Sequence, residues 1–243
     1  MTTQNKVALV TGANKGIGFE IARGLGAQGI TVIVGARDAK LGQSAADQLR
    51  EEGIDAQSVT LDVLDEASIA AAADAIDQQF GKLDILVNNA GISLERGQKP
   101  SDSSAAYLRD TYATNVIGVV SVTNALLPLL RKSPSGRIVN QSSSMGSLGL
   151  AAAPNSPFAD LNLLAYNSSK AALNSVTIEY AKELRGTSIK INASDPGYVA
   201  TDLNRHQGYK TPQQGAVAAI RLATLPDDGA SGTFQNETES VDW

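Results

Sequence analysis

Tyr166 and Lys170 stand four residues apart in "AYNSSK" (165–170), inside a long apolar, helix-like run. On a helix that spacing puts both side chains on one face. A phenol titrating near ~10 and an amine near ~10.4 are each poor acid-base catalysts at neutral pH. Side by side they differ. An ammonium stabilises phenolate and draws the tyrosine down toward the range where general acid-base catalysis is efficient. On this reading the lysine is a fixed charge and needs no shift of its own. A nearby hydroxyl that holds a carbonyl oxygen and hydrogen-bonds it as charge grows would complete the set. Ser142, Ser143 and Ser144, at the end of a strand-like run, are the candidates. In isolation the commoner reading of the pair is an exposed tyrosine and a solvated lysine, so the rest of the chain decides.

A second constellation lies near the N-terminus. "TGANKGIG" (11–18) follows a strand-like run and opens a helix-like one. Gly12, Gly16 and Gly18 permit a tight turn and close approach of a ligand to the backbone, with Asn14, Lys15 and Ile17 between them. The start of the following helix offers free N–H groups and the positive end of its dipole, which suits a pyrophosphate. The spacing is G-x-x-x-G-x-G rather than G-x-G-x-x-G, and the strand-turn-helix context points to a dinucleotide. The next strand ends in "VIVGARD" (32–38), offering Arg37 for the 2′-phosphate of NADP and Asp38 for the ribose hydroxyl of NAD. Arg37 comes first off the strand, Lys15 sits in the glycine turn, and Asp38 can serve as the cap of the next helix. NADP(H) is therefore expected over NAD(H). "LDV" (61–63) is read as the end of the third strand and "NNAG" (88–91) as that of the fourth. Ligands of open α/β sheets bind beyond the carboxyl ends of strands. That makes Asp62 a candidate for the adenine amino group, with Val63 counted among the cofactor-binding residues, and Asn89, Ala90 and Gly91 a wall of the crevice. Taken singly, Asp62 reads as a helix cap and Asn88 as a turn amide.

These residues need a frame. Strand-like runs recur at 7–11, 31–35, 58–63, 84–88, 137–142, 189–194 and, more weakly, 232–235. Helix-like segments alternate with them: Ile17, Ile21 and Leu25 share a face, and 65–80 and 163–185 read the same way. The strands are continuously apolar, as when helices cover both faces. Alternating β and α of this kind gives an α/β fold with a doubly wound parallel sheet. No linker or repeat divides the chain, so residues 1–243 are expected to form a single domain. The stretch 146–161, rich in Pro, Ala and Gly, reads as an irregular loop.

Composition excludes several alternatives. A net charge of −5 argues against general affinity for nucleic acid or anionic membranes. The chain has no cysteine, hence no disulfide and no thiolate metal site. His206, the lone histidine, cannot build a metal site and reads as solvent-exposed. "MTTQNKVALVTG" has no secretory pattern, and the apolar runs fall short of the ~20 residues of a membrane span. A cytoplasmic protein is expected. Met145 and Trp243 are read as packing residues, and Tyr198 as a candidate wall of a substrate pocket.

"TGANKGIG", "NNAG", "YNSSK" and "DPGYVAT" (195–201) together resemble a short-chain dehydrogenase/reductase over nearly the whole chain, in the family's order. "VTGANKGIGFEIARGL" with "GARD" looks most similar to the carbonyl reductase branch. The resemblance implies a Rossmann-type sheet of seven parallel strands and hydride transfer between a nicotinamide cofactor and a small carbonyl or alcohol. It assigns Tyr166 as proton donor in reduction, with Lys170 lowering its pKa and binding the nicotinamide ribose. It matches Asn115, in "ATNVIG", to the helix-bending asparagine that holds a water in the proton relay. It favours Ser143, three residues before Gly146, as the carbonyl-orienting serine, with Ser142 and Ser144 left open. Pro196, Gly197, Val199 and Thr201 match the segment beside the nicotinamide and its phosphate. Ser143 and Tyr166 lie 23 residues apart, further than is usual in the family. That extra length is the 146–161 loop, which would border the substrate or cover a helix face used in oligomers. Monomer or homo-oligomer is thus left undecided. The short stretch 202–210 implies an open site. A non-catalytic NADP-binding sensor, an alcohol dehydrogenase working oxidatively with NAD, and a nucleotide-sugar epimerase are the rival readings. A sensor has no need to keep Asn, Ser, Tyr and Lys together, and epimerases carry a larger C-terminal substrate region.

Overall fold

A computed structural model describes residues 5–243. The leader reading falls partly on residues 1–4, outside the described residues. Seven strands enter one sheet: β1 (Val7–Thr11), β2 (Thr31–Ala36), β3 (Ala56–Thr60), β4 (Ile85–Asn88), β5 (Arg137–Gln141), β6 (Lys190–Ser194) and β7 (Phe234–Gln235). Their order is β3-β2-β1-β4-β5-β6-β7, all neighbours parallel. This is the expected Rossmann-like sheet.

Every residue of β1, β2, β4 and β5 is buried, which explains their continuous apolar runs; edge strand β3 is more open. Helices α1 (Gly16–Gly26), α2 (Ala39–Glu51) and α8 (Pro212–Ala223) cover one face through a core that includes Ile21, Leu25, Leu49 and Leu222. Helices α3 (Glu66–Phe80), α5 (Gly118–Leu130) and α7 (Leu164–Glu183) cover the other through Ile69, Ile76, Leu126, Tyr180 and, just past α7, Leu184. Because β2 and β4 flank β1 on opposite sides, the chain reverses its direction of winding there. In open α/β sheets ligands bind at such a reversal, here beyond the carboxyl ends of β1 and β4.

Three expectations are corrected. The third strand ends at Thr60, so "LDV" lies past it, in the turn that leads to α3. The 146–161 stretch is not wholly irregular: it contains α6 (Leu148–Ala152), capped by Ser147, whose Oγ accepts from Leu150 N at 3.1 Å. The backbone carbonyl of Trp243 accepts from Gly149 N (3.2 Å) and Ser147 Oγ (3.4 Å), and its ring stacks on Phe234. Lastly, α4 (Ala105–Tyr112), a π-helical turn at Ala113–Ile117 and α5 run on as one helix long and apolar enough to span a bilayer. That length arises only when the three pieces join. The helix packs as a core element, contributing Val122, Leu126 and Leu130 to the sheet face.

Candidate active site

The glycine turn is built as a phosphate cradle requires. Gly12 and Gly16 have φ of +63° and +60°, a region unfavourable to side chains. At Gly18 a Cβ would fall 2.4 Å from Asn89 Nδ2 and 2.6 Å from the Gly12 carbonyl, so only glycine lets the helix start this close. Lys15 flanks α1 without a side-chain cap, and no acid occupies the first turn, which leaves the helix N-terminus open to an anion. These features fit a dinucleotide pyrophosphate. Asn89 holds the turn: its Nδ2 donates to the carbonyls of Thr11 (2.9 Å) and Gly12 (3.3 Å). Thr11 Oγ in turn accepts from the amides of Asn89 and Ala90, both at 3.0 Å. Sequence reasoning missed Thr11, whose role needs β1 and β4 side by side.

At the end of β2 the two candidates separate. Asp38 caps α2, accepting from Lys40 N (2.9 Å) and Leu41 N (3.0 Å), whereas Arg37 is exposed and makes no ion pair among the described residues. Lys15, counted above as a second cation for the phosphate, donates instead to Asp202 at 2.5 Å, on the segment after β6. Arg37 is thus the free charge there. Asp62 accepts from Leu64 N at 3.0 Å through Oδ1, and Asn88 Nδ2 donates to Thr123 Oγ1 (3.1 Å) and Asn140 Oδ1 (2.9 Å). Gly118 lets the long helix approach Val63, whose carbonyl would lie 2.8 Å from a Cβ there.

Asn115 is wholly buried in the π-helical turn, where Gly118 N donates to the Ala113 carbonyl five residues back. Its side chain grips Ile92 from both sides, accepting from Ile92 N and donating to Ile92 O, each at 2.9 Å. It also donates to Ser169 Oγ (3.0 Å), tying the turn to α7. A Cβ on Gly91 would lie 3.3 Å from Asn115 Oδ1 and 3.7 Å from Lys170 Nζ, so these residues meet.

Among the three serines the geometry differs. Ser142 donates to Asn174 Oδ1 at 2.5 Å inside the core, and Ser144 has no such tie among the described residues. Ser143 Oγ accepts from Met145 N at 3.2 Å and lies close enough to the Tyr166 hydroxyl to draw its pKa down. Lys170, buried, donates from Nζ to the Gln141 carbonyl (2.7 Å) and stands 5.6 Å from the centre of the Tyr166 ring. The charge logic departs from expectation. Burial pushes the Tyr166 phenol up to about 12; the neighbouring Ser143 hydroxyl opposes this, and the nearby Asp195 carboxylate adds to it. The Lys170 ammonium is itself pushed down to about 8 by burial, so it is not an unshifted charge. A sequence gives spacing but not desolvation.

The remaining predicted residues lie on the segment that follows β6. Gly16 approaches Thr201, whose Cγ2 would lie 3.9 Å from a Cβ there, and Gly197 has a φ of +73° after Pro196. Val199 is buried, and its carbonyl accepts from Asn204 Nδ2 (2.8 Å). Tyr198 is half exposed, its ring edge-on to Tyr209 at 6.1 Å. His206 is exposed and pairs with Asp202 at 2.8 Å.

Gly146 decides how close the Ser143 segment comes to α7. A Cβ there would lie 2.6 Å from the Lys170 carbonyl carbon and 2.8 Å from Ala171 N, both backbone atoms. Gly146→Ala is expected to destabilise the protein by about 1–3 kcal/mol and to lower kcat by moving Ser143 from Tyr166. Thermal melts with steady-state kinetics would test this; a normal melting point and normal kcat would show that the contact yields.

Residues 6–211 match the family model described as short chain dehydrogenase. Short-chain dehydrogenase/reductase 1 of Saponaria officinalis is 37% identical, over 97% of this chain and 95% of the relative. Carbonyl reductase [NADPH] 1 of Sus scrofa is 34% identical, over 100% of this chain and 96% of the relative. Among solved structures, the NADPH-bound carbonyl reductase from chicken fatty liver superposes with a TM-score of 0.85 at 29% identity, covering 99% of this chain and all of that one.

Proposed function

The chain belongs to the short-chain dehydrogenase family, and from that premise we propose that it is an NADP(H)-dependent reductase converting an aldehyde or ketone to an alcohol. The observation that carries this reading is the buried Lys170 ammonium 5.6 Å from the centre of the Tyr166 ring, with Ser143 beside the phenol. When bound, NADPH supplies the hydride to the carbonyl carbon. Ser143 donates a hydrogen bond to the carbonyl oxygen and holds it beside the tyrosine. Tyr166 gives its proton to that oxygen as negative charge builds there. The phenolate left behind is stabilised by the Lys170 ammonium and regains a proton from solvent, with Asn115 holding the relay. The raised phenol suits a proton donor: at neutral pH Tyr166 carries its proton, and an alkoxide is a stronger base than even this phenolate.

In this reading the glycine turn from Gly12 to Gly18 holds the pyrophosphate and Asp62 faces the adenine. Asn89, Ala90 and Gly91, with the 196–201 segment, flank the nicotinamide half, and Tyr198 borders the substrate. Preference for NADP(H) rests on Asp38 being occupied as a cap while Arg37 is free, and a carbonyl reductase relative is named for NADPH. Purified protein should oxidise NADPH with a panel of aldehydes, diketones and aryl ketones, and NADH much more slowly. Arg37→Asp should shift the NADPH/NADH ratio of kcat/KM by about 10- to 100-fold toward NADH, the worth of a charged hydrogen bond. An unchanged ratio would move the 2′-phosphate contact to Lys15. Silence with both cofactors would favour a sensor.

A further inference from the structure

Helix α7 carries both Tyr166 and Lys170, yet it begins without a cap of its own. Its flanking residue is Leu163, whose side chain has no oxygen to offer the first free amides. The acceptor comes from elsewhere. Glu95 is only 3% exposed, and its Oε2 accepts from the amides of Ala165 (2.6 Å) and of Tyr166 itself (3.2 Å). Oε1 accepts from Ser103 Oγ at 2.8 Å. Three donors thus compensate the cost of burying this carboxylate, and its charge suits the positive end of the helix.

Glu95 lies on the segment that leaves β4 past Asn89-Ala90-Gly91, the wall of the cofactor crevice. Three residues earlier, Ile92 is held on both its amide and its carbonyl by Asn115. Residues 92–95 therefore form a strap, fixed at one end to the π-helical turn and at the other to the backbone of Tyr166. A serine or aspartate at position 163 would cap the helix equally well, but it would not tie the helix to the crevice.

We infer that Glu95 is a positioning residue of the reaction: through the Ala165 and Tyr166 amides it sets the start of α7, and so the place of the phenol relative to Ser143 and the cofactor crevice. The inference rests on the reading of Tyr166 as proton donor. Misplacing a reacting group by about 1 Å costs on the order of 100-fold in rate, so the strap acts on kcat rather than on cofactor affinity.

The test uses the full chain with NADPH and the best carbonyl substrate of the panel. Glu95→Ala removes the acceptor; Glu95→Gln keeps an oxygen for the two amides and turns its own amide toward Ser103. Glu95→Ala is expected to lower kcat on the order of 10- to 100-fold with an unchanged NADPH dissociation constant, and Glu95→Gln to recover most of the loss. Wild-type kcat in Glu95→Ala would overturn the inference. So would a joint fall of kcat, NADPH affinity and folded fraction that Gln does not restore, since Glu95 would then be a cap and nothing more. Should Glu95→Ala not fold, Ser103→Ala decides. It frees the carboxylate without touching the helix, and should lower kcat severalfold; unchanged kcat there overturns the inference. Tyr166→Phe separates the two readings. If it is inactive while Glu95→Ala is normal, only the strap fails; if it is active, the proton donor and the strap fail together.

Discussion

Tyr166→Phe is expected to lower carbonyl reduction by on the order of 10²- to 10⁴-fold while leaving NADPH binding nearly unchanged. The substitution removes one oxygen. That oxygen lies beside Ser143 and is the acidic group assigned to reach the carbonyl. The ring that packs beside Lys170 is retained, and the glycine turn is untouched. Steady-state NADPH oxidation with a parallel fluorescence titration of NADPH measures both halves. Turnover within a fewfold of wild type would mean that the proton comes from another donor.

The second large effect concerns Lys170 and pH. Burial lowers this ammonium to about 8, so kcat/KM for NADPH, which reports the free protein, should fall as pH rises through that value. Tyr166, pushed up to about 12, stays protonated across the same range and adds no limb of its own. Lys170→Met should lower kcat/KM on the order of 100-fold or more and remove the limb near pH 8. A retained limb in that variant would assign the titration to another group.

Stability gives an independent reading with a definite sign. In the unfolded chain the lysine titrates near ~10.4, above its folded value of about 8. Between these values the unfolded state binds more protons, so the lysine's contribution rises with pH across that window and is lost as pH falls through about 8. The size is on the order of 3 kcal/mol at most. The tyrosine, raised by burial, works the opposite way above ~10. The wild-type protein should therefore gain stability against denaturant relative to Lys170→Met between about pH 8 and pH 10. A difference that does not change with pH would show that the lysine is not desolvated.

Much of this was legible in the chain. Periodicity and order supply the seven strands and the helices between them, because strands buried on both faces must be apolar throughout and helices must show a stripe. Local spacing puts Tyr166 and Lys170 on one helix face, and the glycines, through their freedom of φ, mark the turn before α1. The weaker boundaries have local causes as well. Asp62, expected at the end of a strand, closes a turn through Leu64 N instead. Residues 148–152 form α6 on the strength of a Ser147 cap, and the Trp243 carbonyl packs against its first turn.

What the tertiary structure alone decides depends on groups distant in sequence. Sequence left Ser142, Ser143 and Ser144 open; packing turns Ser142 onto Asn174, away from the site, and leaves Ser143 beside Tyr166. Sequence weighed Arg37 against Asp38; the amides of α2 claim Asp38, and Asp202 claims Lys15. The Tyr166 and Lys170 pKa values are set by desolvation, which belongs to the surroundings and not to the i to i+4 spacing. Glu95 gave no local signal of this role, because the helix amides that it caps lie 70 and 71 positions away. A sequence states which groups are present and their local geometry; which groups share a buried environment, and so shift one another's protons, is settled only when the sheet brings them together.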